Sequence, residues 1–351
     1  MRILNSQLHT DDIILSKVAH IGYFARVDDE LKICNISENN IGIKLGNFDK
    51  AKRHFILTYL NTKFGQILIL RRRSGNAQPK LNVDDVCKIP IPEFSDDFSK
   101  IISSLILKSD FMSERADENY HAAEKTLSEA LNLENFKPTS ENIAIKSFSA
   151  SFMASGRLDA EFYQPKYDDI AKKLFDFDKN AKKLADIVEY IFTGEYSEEY
   201  HDKNSSTSNL KYYIRGTDIN NGRIILDEKY CVISKGFSKF VSTGDILTGR
   251  VGTIGNFGVV DVNLNGSVCS DNIICFRLPK NYNPNVYALY FNNNFIKDLC
   301  KKLSRGSVQQ RLNQETLTDL FIPFINEEMQ EKIAAQVSES FKLRSESEKF
   351  L

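Results

Sequence analysis

Two stretches of the chain repeat apolar residues at the alternating steps of three and four that indicate amphipathic helices. The first lies between Glu93 and Lys137, where neither glycine nor proline interrupts the pattern. Its apolar stripe contains Phe98, Ile102, Leu105, Met112, Ala116, Ala123 and Ala130. This length predicts one helix of about ten turns. The second stretch, residues 324–351, carries Met329, Ile333, Val337 and Phe341 on one stripe. Together the two stretches predict a pair of long antiparallel helices.

The remaining sequence alternates short apolar runs with turn residues, which is typical of a mixed α and β fold. The run DNIICFRL predicts a buried strand, and GDILTGRVGTIGNFGVV before it predicts tightly turned strands. The pair Asn221 and Gly222 favours a two-residue hairpin turn. Asn283 and Pro284 predict the start of a helical segment, because asparagine caps helices and proline suits their first turn.

The chain contains an internal repeat. A shift of 233 positions places residues 10–45 on residues 243–278, with identical pairs that include Asp12/Asp245 and Gly22/Gly255. At a shift of 231, residues 74–92 match residues 305–323 without a gap. Solenoid and propeller repeats have roughly 20 to 50 residues. A period this long therefore indicates two homologous domains.

The two copies are unequal. The second begins near Ile143 and ends at Pro323, whereas Met1 already corresponds to about Ser234. About half of the repeated unit has no counterpart in the first copy. The predicted organisation is a partial domain at 1–92, a long helix at 93–137, a complete domain at 143–323, and a second, short or truncated helix at 324–351.

Composition narrows the class of protein. The chain has 351 residues, of which 42% are hydrophobic and 26% charged, and this excludes a disordered or collagen-like chain. No apolar run approaches the roughly 18 residues of a membrane span. The start of the chain turns polar after Leu4, unlike a signal peptide. We therefore expect a cytoplasmic protein without a membrane segment.

Motifs for catalysis or metal binding are incomplete. Gly244–Arg250 has the glycine spacing of a phosphate-binding loop but arginine in place of its lysine. Asp12, Glu30 and Lys32 resemble a nuclease set in outline, yet the set is not repeated in the second copy. The six cysteines and five histidines are dispersed. We therefore predict no catalytic and no metal-binding residues.

A basic cluster lies at the same place in each copy. In the second copy it comprises Lys297, Lys301, Lys302, Arg305 and Arg311, beside Gln309. In the first copy it comprises Lys63, Arg71, Arg72, Arg73 and Lys80. The net charge of −1 conceals these clusters. Their recurrence favours contacts with DNA phosphates, which position a protein without reading sequence. The alternative is a set of solvated helix faces.

The ordered motifs resemble the DNA specificity (S) subunit family of type I restriction-modification enzymes. GRLDAEFYQPKY at Gly156–Tyr167 is similar to the start of a target recognition domain in that family. YIRGTDINNGRI and GDILTGRVGTIGNFGVV are similar to its middle, and SRGSVQQRLNQETLTDLFIPF to its end. The resemblance implies an α+β fold with two homologous mixed α/β target recognition domains, the first partial, separated by long antiparallel coiled-coil helices.

The resemblance also implies a function in which this chain does no chemistry. Each recognition domain would read half of a bipartite site in double-stranded DNA, and the helices would fix the distance between the halves. Modification (methyltransferase) subunits would bind S-adenosylmethionine and methylate adenine, and a restriction (translocase/endonuclease) subunit would use ATP to translocate and cleave DNA. S-adenosylmethionine, ATP and magnesium are therefore expected on the partner subunits and not on this chain.

Candidate DNA contacts fall into two groups. Phosphate contacts are predicted for the two basic clusters: Arg71, Arg72, Arg73, Lys80, Lys301, Lys302, Arg305 and Arg311, with Gln309 beside them. Base contacts are predicted for Arg215, Asp218, Asn220, Asn221, Arg250 and Thr253. Arginine suits guanine and asparagine suits adenine. For Arg250, whose counterpart in the first copy is Lys17, a structural role is the alternative.

Alternatives stay open for both the function and the origin of the chain. The chain could be the recognition part of a fused type II restriction-modification enzyme, or a truncated scaffold that binds modification subunits without binding DNA. The unequal copies fit either a truncated gene product or a shortened S protein that self-associates from two chains. Sequence-specific reading by the first copy is accordingly less firmly predicted than reading by the second.

Overall fold

The computed structural model describes residues 6–18, 20–75, 79–306 and 310–350. The chain divides into two compact units. Unit 1 comprises Met1–Glu114 with Leu343–Leu351, and unit 2 comprises Arg115–Lys342. Each boundary falls within one of the two long helices. Among the described residues, no helix combines the length and the apolar character that a membrane crossing requires.

Unit 1 has short strands followed by helices, and it contains the first part of a long helix that continues into unit 2. Its elements are β1 (Gln7–His9), β2 (Ile13–Ser16), β3 (Phe24–Arg26), β4 (Ile33–Asn35), β5 (Asn40–Ile43), α1 (Lys50–Asn61), α2 (Lys63–Leu70), α3 (Val83–Val86) and α4 (Asp96–Ala130). The antiparallel sheet has the strand order β3-β2-β5. In its register Leu15 lies opposite both Phe24 and Ile41. These side chains pack against α1 and form the core of unit 1.

Unit 2 has the larger core and carries most of the predicted site. Its helices are α5 (Phe152–Ser155), α6 (Pro165–Phe177), α7 (Leu184–Ile187), α8 (Pro284–Asn292), α9 (Asn294–Leu303), α10 (Gln314–Leu317) and α11 (Glu327–Glu348). Its strands are β6 (Lys182–Lys183), β7 (Tyr190–Thr193), β8 (Leu210–Ile214), β9 (Ile219–Asn220), β10 (Arg223–Ile224), β11 (Cys231–Ile233), β12 (Ile246–Gly249), β13 (Phe257–Val259), β14 (Val268–Cys269), β15 (Ile273–Arg277) and β16 (Phe321–Ile322).

The central sheet of unit 2 has the order β13-β12-β15-β7. All four residues of β12 and the first four of β15 are buried, which confirms the predicted buried strand. Asn283 caps α8 and Pro284 begins it, as predicted. The strands β9 and β10 pair through the predicted Asn221-Gly222 turn, in which both residues have positive φ angles of 41° and 87°. These angles fit the hairpin turn that an Asn-Gly pair favours.

The two units share backbone pairings at the spacings of the sequence repeat. In unit 1, Lys80 pairs with both Val18 and Ser74. In unit 2, Arg311 pairs with both Val251 and Arg305. The N–H of Leu81 donates to the carbonyl of Lys17 at 3.0 Å, and the N–H of Leu312 donates to that of Arg250 at 2.9 Å. The repeated sequence therefore folds into a repeated local structure.

The two long helices pack against each other through small residues. In unit 1 the hydroxyls of Ser109 and Ser347 lie 2.8 Å apart, and in unit 2 the hydroxyl of Ser340 donates to the carbonyl of Ala116 at 2.6 Å. These contacts confirm the antiparallel direction. Ala116 and Ala123 of the predicted apolar stripe are buried. In the unit 1 part of α4, by contrast, Phe98 is exposed and serine side chains are buried. Serines allow close approach because their hydroxyls bond across the seam.

Candidate nucleic-acid interface

Two segments that the sequence predicts as DNA contacts adjoin in unit 2. The loop after β12 contains Arg250 and Val251, and Val251 pairs with Arg311. Arg305 and Arg311 pair with each other across residues 306–310, with N–H donors 2.9 and 2.7 Å from the facing carbonyls. Arg305 and Arg311 are exposed. Because Arg311 pairs with both Arg305 and Val251, the backbones of the two arginines lie beside the loop after β12.

A third segment, the turn after β8, reaches the same loop at Gly216. A Cβ on Gly216 would lie 2.8 Å from the Thr253 hydroxyl oxygen, and a Cβ on Gly249 would lie 2.1 Å from it. Side chains at either position would therefore displace Thr253. We call residues 215–221, 250–255, 305–306 and 310–311 the three-loop face. Gln309, which the sequence predicts beside this face, lies outside the described residues, as Gln78 of the first copy does.

Arg215 and Asp218 form an internal pair on the three-loop face. The Arg215 Nη2 donates to Asp218 Oδ1 at 2.7 Å, and the guanidinium carbon lies 3.4 Å from the centre of the Tyr230 ring. Asp218 is buried and also accepts the backbone N–H of Arg215 at 2.8 Å. Its carboxylate is thus occupied inside the fold, where it orients Arg215. The Arg215 side chain is 27% exposed.

Arg250 is bonded to the backbone on both sides of its loop. Its Nη1 donates to the Asp271 carbonyl at 3.0 Å, and its Nε donates to the Leu312 carbonyl at 3.4 Å. A third bond of 3.4 Å joins Nη2 to Asn313 Oδ1. These contacts favour the structural alternative for Arg250, since its donors join residues 312–313 to the turn before β15.

The Asn220 and Asn221 side chains are exposed at the tip of the β9–β10 hairpin. The following Gly222 pairs with Gly258 of β13, and its N–H donates to the Phe257 carbonyl at 2.9 Å, so the tip adjoins the start of β13. An amide side chain carries both a donor and an acceptor, as bidentate recognition of adenine requires. The geometry is therefore compatible with the predicted base contacts of these two asparagines.

The two lysines at the end of α9 differ in their surroundings. Lys301 is exposed and pairs with Asp298 of the same helix at 3.1 Å. Lys302 has 19% of its side chain exposed, pairs with Asp168 at 3.3 Å and lies over the rings of Phe162 and Tyr167. Lys302 therefore anchors the segment that begins the second copy, while Lys301 remains near solvent.

Arg157 was missed as a positioning residue. Its Nη1 donates to the Lys302 carbonyl at 3.1 Å, and its Nη2 lies 2.5 Å from Asp159 Oδ2. The hydrogen bonds of this guanidinium hold the pKa of Asp159 below its ordinary value. The guanidinium carbon also lies 4.4 Å from the centre of the Phe162 ring. The available signal was the motif GRLDAEFYQPKY, in which the arginine, acid and aromatic occur together.

Lys297 was predicted only as part of the basic cluster. A Cβ on Gly255 would lie 3.3 Å from the Lys297 side chain, so the stem of the lysine packs under the loop after β12. Burial lowers the pKa of Lys297 from its ordinary value. Its stem supports the loop from the side of α9.

The basic residues of unit 1 surround the equivalent local pairing. Arg71, Arg73 and Lys80 are exposed, and Lys80 pairs with Val18 and Ser74. The Arg72 Nη2 donates to the Lys88 carbonyl at 2.8 Å, which fixes that side chain along the backbone. Three of the four predicted phosphate contacts of the first copy are thus available on the surface of unit 1.

Within the described part of the chain, no group of three or more histidine, cysteine, aspartate or glutamate side chains could hold a metal ion. His54 is buried in unit 1, with Nε2 3.2 Å from Asp11 Oδ1 and Nδ1 2.9 Å from the Ser103 hydroxyl. This arrangement joins α1 to α4 inside the core. It offers no open surface to a ligand.

Comparison with known proteins identifies one family. Residues 172–349 match the family described as the type I restriction modification DNA specificity domain. None of the curated proteins matches the chain.

Three solved structures resemble the chain at low identity. An S subunit of a type I restriction-modification system from M. genitalium shares 13% identity, with 97% of this chain and 78% of that chain covered and a TM-score of 0.41. The HsdS subunit from Thermoanaerobacter tengcongensis shares 14% identity, with 98% and 76% covered and a TM-score of 0.36. A third, described in a study of type I system assembly, shares 13% identity, with 98% and 80% covered and a TM-score of 0.34.

Proposed function

Because the chain belongs to the type I restriction modification DNA specificity family, we propose that the three-loop face of unit 2 reads one half of a bipartite DNA site. The family match makes the chain a non-catalytic DNA specificity subunit. The proposal adds where on the surface recognition occurs. It also adds the result of recognition, which is methylation of adenine by partner subunits.

One observation carries the proposal: three segments predicted from separate parts of the sequence adjoin on unit 2. Exposed Arg311 pairs with exposed Arg305 and with Val251 of the loop after β12, and Thr253 of that loop lies against Gly216 in the turn after β8. Cations beside exposed amides fit a duplex, because phosphates fix the position of a protein while base edges supply specificity. The same backbone pairings recur at Lys80 in unit 1.

Roles can be divided among the exposed residues. We assign Lys301, Arg305 and Arg311 to phosphates, and Asn220 and Asn221 to base edges. Arg215 and Thr253 remain candidates for base contacts at the border of the face. Asp218, Arg250 and Lys302 act through the positions they give to their neighbours. In unit 1, Arg71, Arg73 and Lys80 are assigned to phosphates on the same reasoning, with Arg72 held along the backbone.

The partners follow from the same proposal. Modification subunits would bind S-adenosylmethionine and methylate adenine, and a restriction subunit would supply ATP-dependent translocation and cleavage with magnesium. Several large apolar side chains on the unit 1 part of α4 are exposed: Ile101, Leu107 and Phe111. An apolar helix surface of this kind fits a protein partner. Its position on a long helix supports docking of a modification subunit there.

The test is the salt dependence of DNA binding. The full chain would be titrated into a labelled mixed-sequence duplex at salt concentrations between about 50 and 200 mM, where phosphate contacts dominate affinity. Each phosphate that the protein neutralises contributes roughly 0.9 to the slope of log K against log salt concentration. The double variant Arg305→Glu/Arg311→Glu should lose two phosphate contacts. Its slope should therefore fall in magnitude by about 1.8.

A matched control makes the same charge change while leaving the three-loop face intact. Lys332→Glu/Lys342→Glu alters two exposed lysines of α11. This variant should retain the slope of the unchanged protein. Equal slopes for all three proteins would contradict the assignment of the face and would favour a scaffold that does not bind DNA there.

A further inference from the structure

Unit 1 has an apolar groove beside the open edge of its sheet. The groove has a volume of about 640 Å³ and is lined by β5, α1 and residues 83–94. Among the described residues, β5 pairs with β2 alone, so its other edge carries no neighbouring strand. An unpaired edge beside apolar side chains is a surface that accepts another strand.

The equivalent face of unit 2 is covered by that unit's own segment 165–193. In the repeat, β5 corresponds to β15, and β15 pairs with β7 in the register Ile274↔Thr193 and Phe276↔Ile191. Further along the chain, β16 pairs with β6, and α6 buries three side chains in the core of unit 2: Tyr167, Ile170 and Leu174. A helix followed by strands thus closes this face in unit 2.

The exposure of matching residues shows the effect of that cover. Ile91 is 39% exposed, whereas its counterpart Ile322 is 1% exposed. Phe94 is 50% exposed, and its counterpart Ile325 is 2% exposed. Both residues of unit 1 line the groove. Unit 1 therefore exposes large apolar side chains at positions where unit 2 buries them. Exposing such side chains to water is unfavourable unless another surface covers them.

A buried carboxylate beside the edge adds a polar requirement. In unit 2, the Tyr190 hydroxyl of β7 donates to Asp245 at 2.5 Å. The counterpart of Asp245 in unit 1 is Asp12, which is buried and accepts the N–H groups of His9 at 2.9 Å and Leu45 at 3.2 Å. A strand with a tyrosine at the position of Tyr190 would place its hydroxyl beside this carboxylate.

We propose that the groove of unit 1 binds the helix-and-strand segment equivalent to residues 165–193 from a polypeptide of this family that is not a second copy of this chain. The segment would add a strand to β5 and cover Ile91 and Phe94 with an amphipathic helix. This chain's own segment is committed to unit 2, where Tyr167, Ile170 and Leu174 are almost fully buried. Removing it would open the core of unit 2. The proposal concerns a protein partner and does not depend on which DNA sequence is read.

The experiment uses the full chain and a synthetic peptide with the sequence of residues 160–194, labelled at its amino terminus. Fluorescence anisotropy should show saturable binding of one peptide per chain. Ile91→Lys and Phe94→Ser should each weaken binding at least about tenfold, because they place polar groups in an apolar contact. Ile145→Lys is the matched control, since Ile145 is 95% exposed in unit 2. Its affinity should stay within about twofold of the unchanged protein.

Thiol labelling gives a readout that needs no substitution in the groove. Cys87 is exposed and lines the groove, and the peptide contains no cysteine. In a Cys34→Ser background, the bound peptide should slow maleimide labelling of Cys87. A peptide with the change Tyr190→Phe should bind more weakly than the unchanged peptide, because it cannot bond to Asp12.

Three results would overturn the proposal. The first is no saturable binding up to high micromolar peptide. The second is binding that Ile91→Lys leaves unchanged, which would mean that the peptide exchanges into unit 2 or binds elsewhere. The third is a dimer of the chain that Ile91→Lys converts to monomer, which would make a second copy the occupant.

Discussion

Asp245 is a buried carboxylate of unit 2 that accepts several hydrogen bonds, and its removal gives a quantitative test of how β12, β15 and β7 are held together. Its side chain is fully buried at the start of β12. It accepts hydrogen bonds from Arg277 Nε at 2.8 Å, from the Tyr190 hydroxyl at 2.5 Å and from the Ser242 N–H at 2.7 Å. One carboxylate thus joins β12, β15 and β7.

The cost of Asp245→Ala can be estimated from these partners. Breaking a buried ion pair by removing one member costs about 3 to 5 kcal/mol of unfolding free energy. Arg277 keeps 27% of its side chain exposed and can regain water, which points to the lower end. Tyr190 and Ser242 lose an acceptor as well. We therefore expect about 3 kcal/mol for Asp245→Ala and a smaller loss for Asp245→Asn, which retains one acceptor oxygen.

The assay is chemical denaturation followed by circular dichroism, because the chain contains no tryptophan. A double-mutant cycle with Arg277→Met separates the ion pair from the other bonds. In the Arg277→Met background, Asp245→Ala should cost at least about 1 kcal/mol less than in the unchanged protein. A total loss below about 1 kcal/mol, or strictly additive effects, would refute the reasoning.

Two further predictions concern unit 1 and the three-loop face. Burial lowers the pKa of His54 from its ordinary value of 6.5, against the raising effect of Asp11. The unfolded chain therefore binds the proton more readily, so the stability of unit 1 should fall as the pH drops below about 6.5, by at most about 1.4 kcal/mol per pH unit. Denaturation at several pH values should show this slope and its loss in His54→Gln; an unchanged slope would contradict the assignment. Gly249→Ala should cost about 1 to 3 kcal/mol, because its Cβ meets the Thr253 hydroxyl. Thr253→Ala should recover part of that loss in thermal unfolding, and no recovery would show that the strain lies elsewhere.

The repeat made much of the fold accessible to sequence reasoning. Aligning Lys80 with Arg311 predicted equivalent surroundings, and the structure gives both residues the same two backbone pairings. The long helices followed from apolar spacing and the lack of breakers between Glu93 and Lys137. Local sequence signals of this kind predict the structure correctly because the backbone conformations that they favour agree with the packed fold.

What sequence reasoning missed depends on partners far apart in the chain. The helix seam contains Ser109 and Ser347, which lie 238 positions apart and satisfy each other's hydroxyls. A pattern based on apolar residues cannot identify such positions, because serine alone indicates a surface. Lys302 likewise looked like a free cation, although Asp168 and two aromatic rings hold it. Charge in the sequence gives the type of a contact but not its partner.

The central claim, that the chain directs DNA specificity, is tested most directly by mapping methylated bases in host DNA at single-base resolution, with the gene intact and deleted. We predict a bipartite adenine-methylation motif that disappears on deletion and returns with the gene restored. Restoration with the Arg305→Glu/Arg311→Glu variant should leave the motif undermethylated. An adenine methylation pattern that is identical with and without the gene would contradict the account.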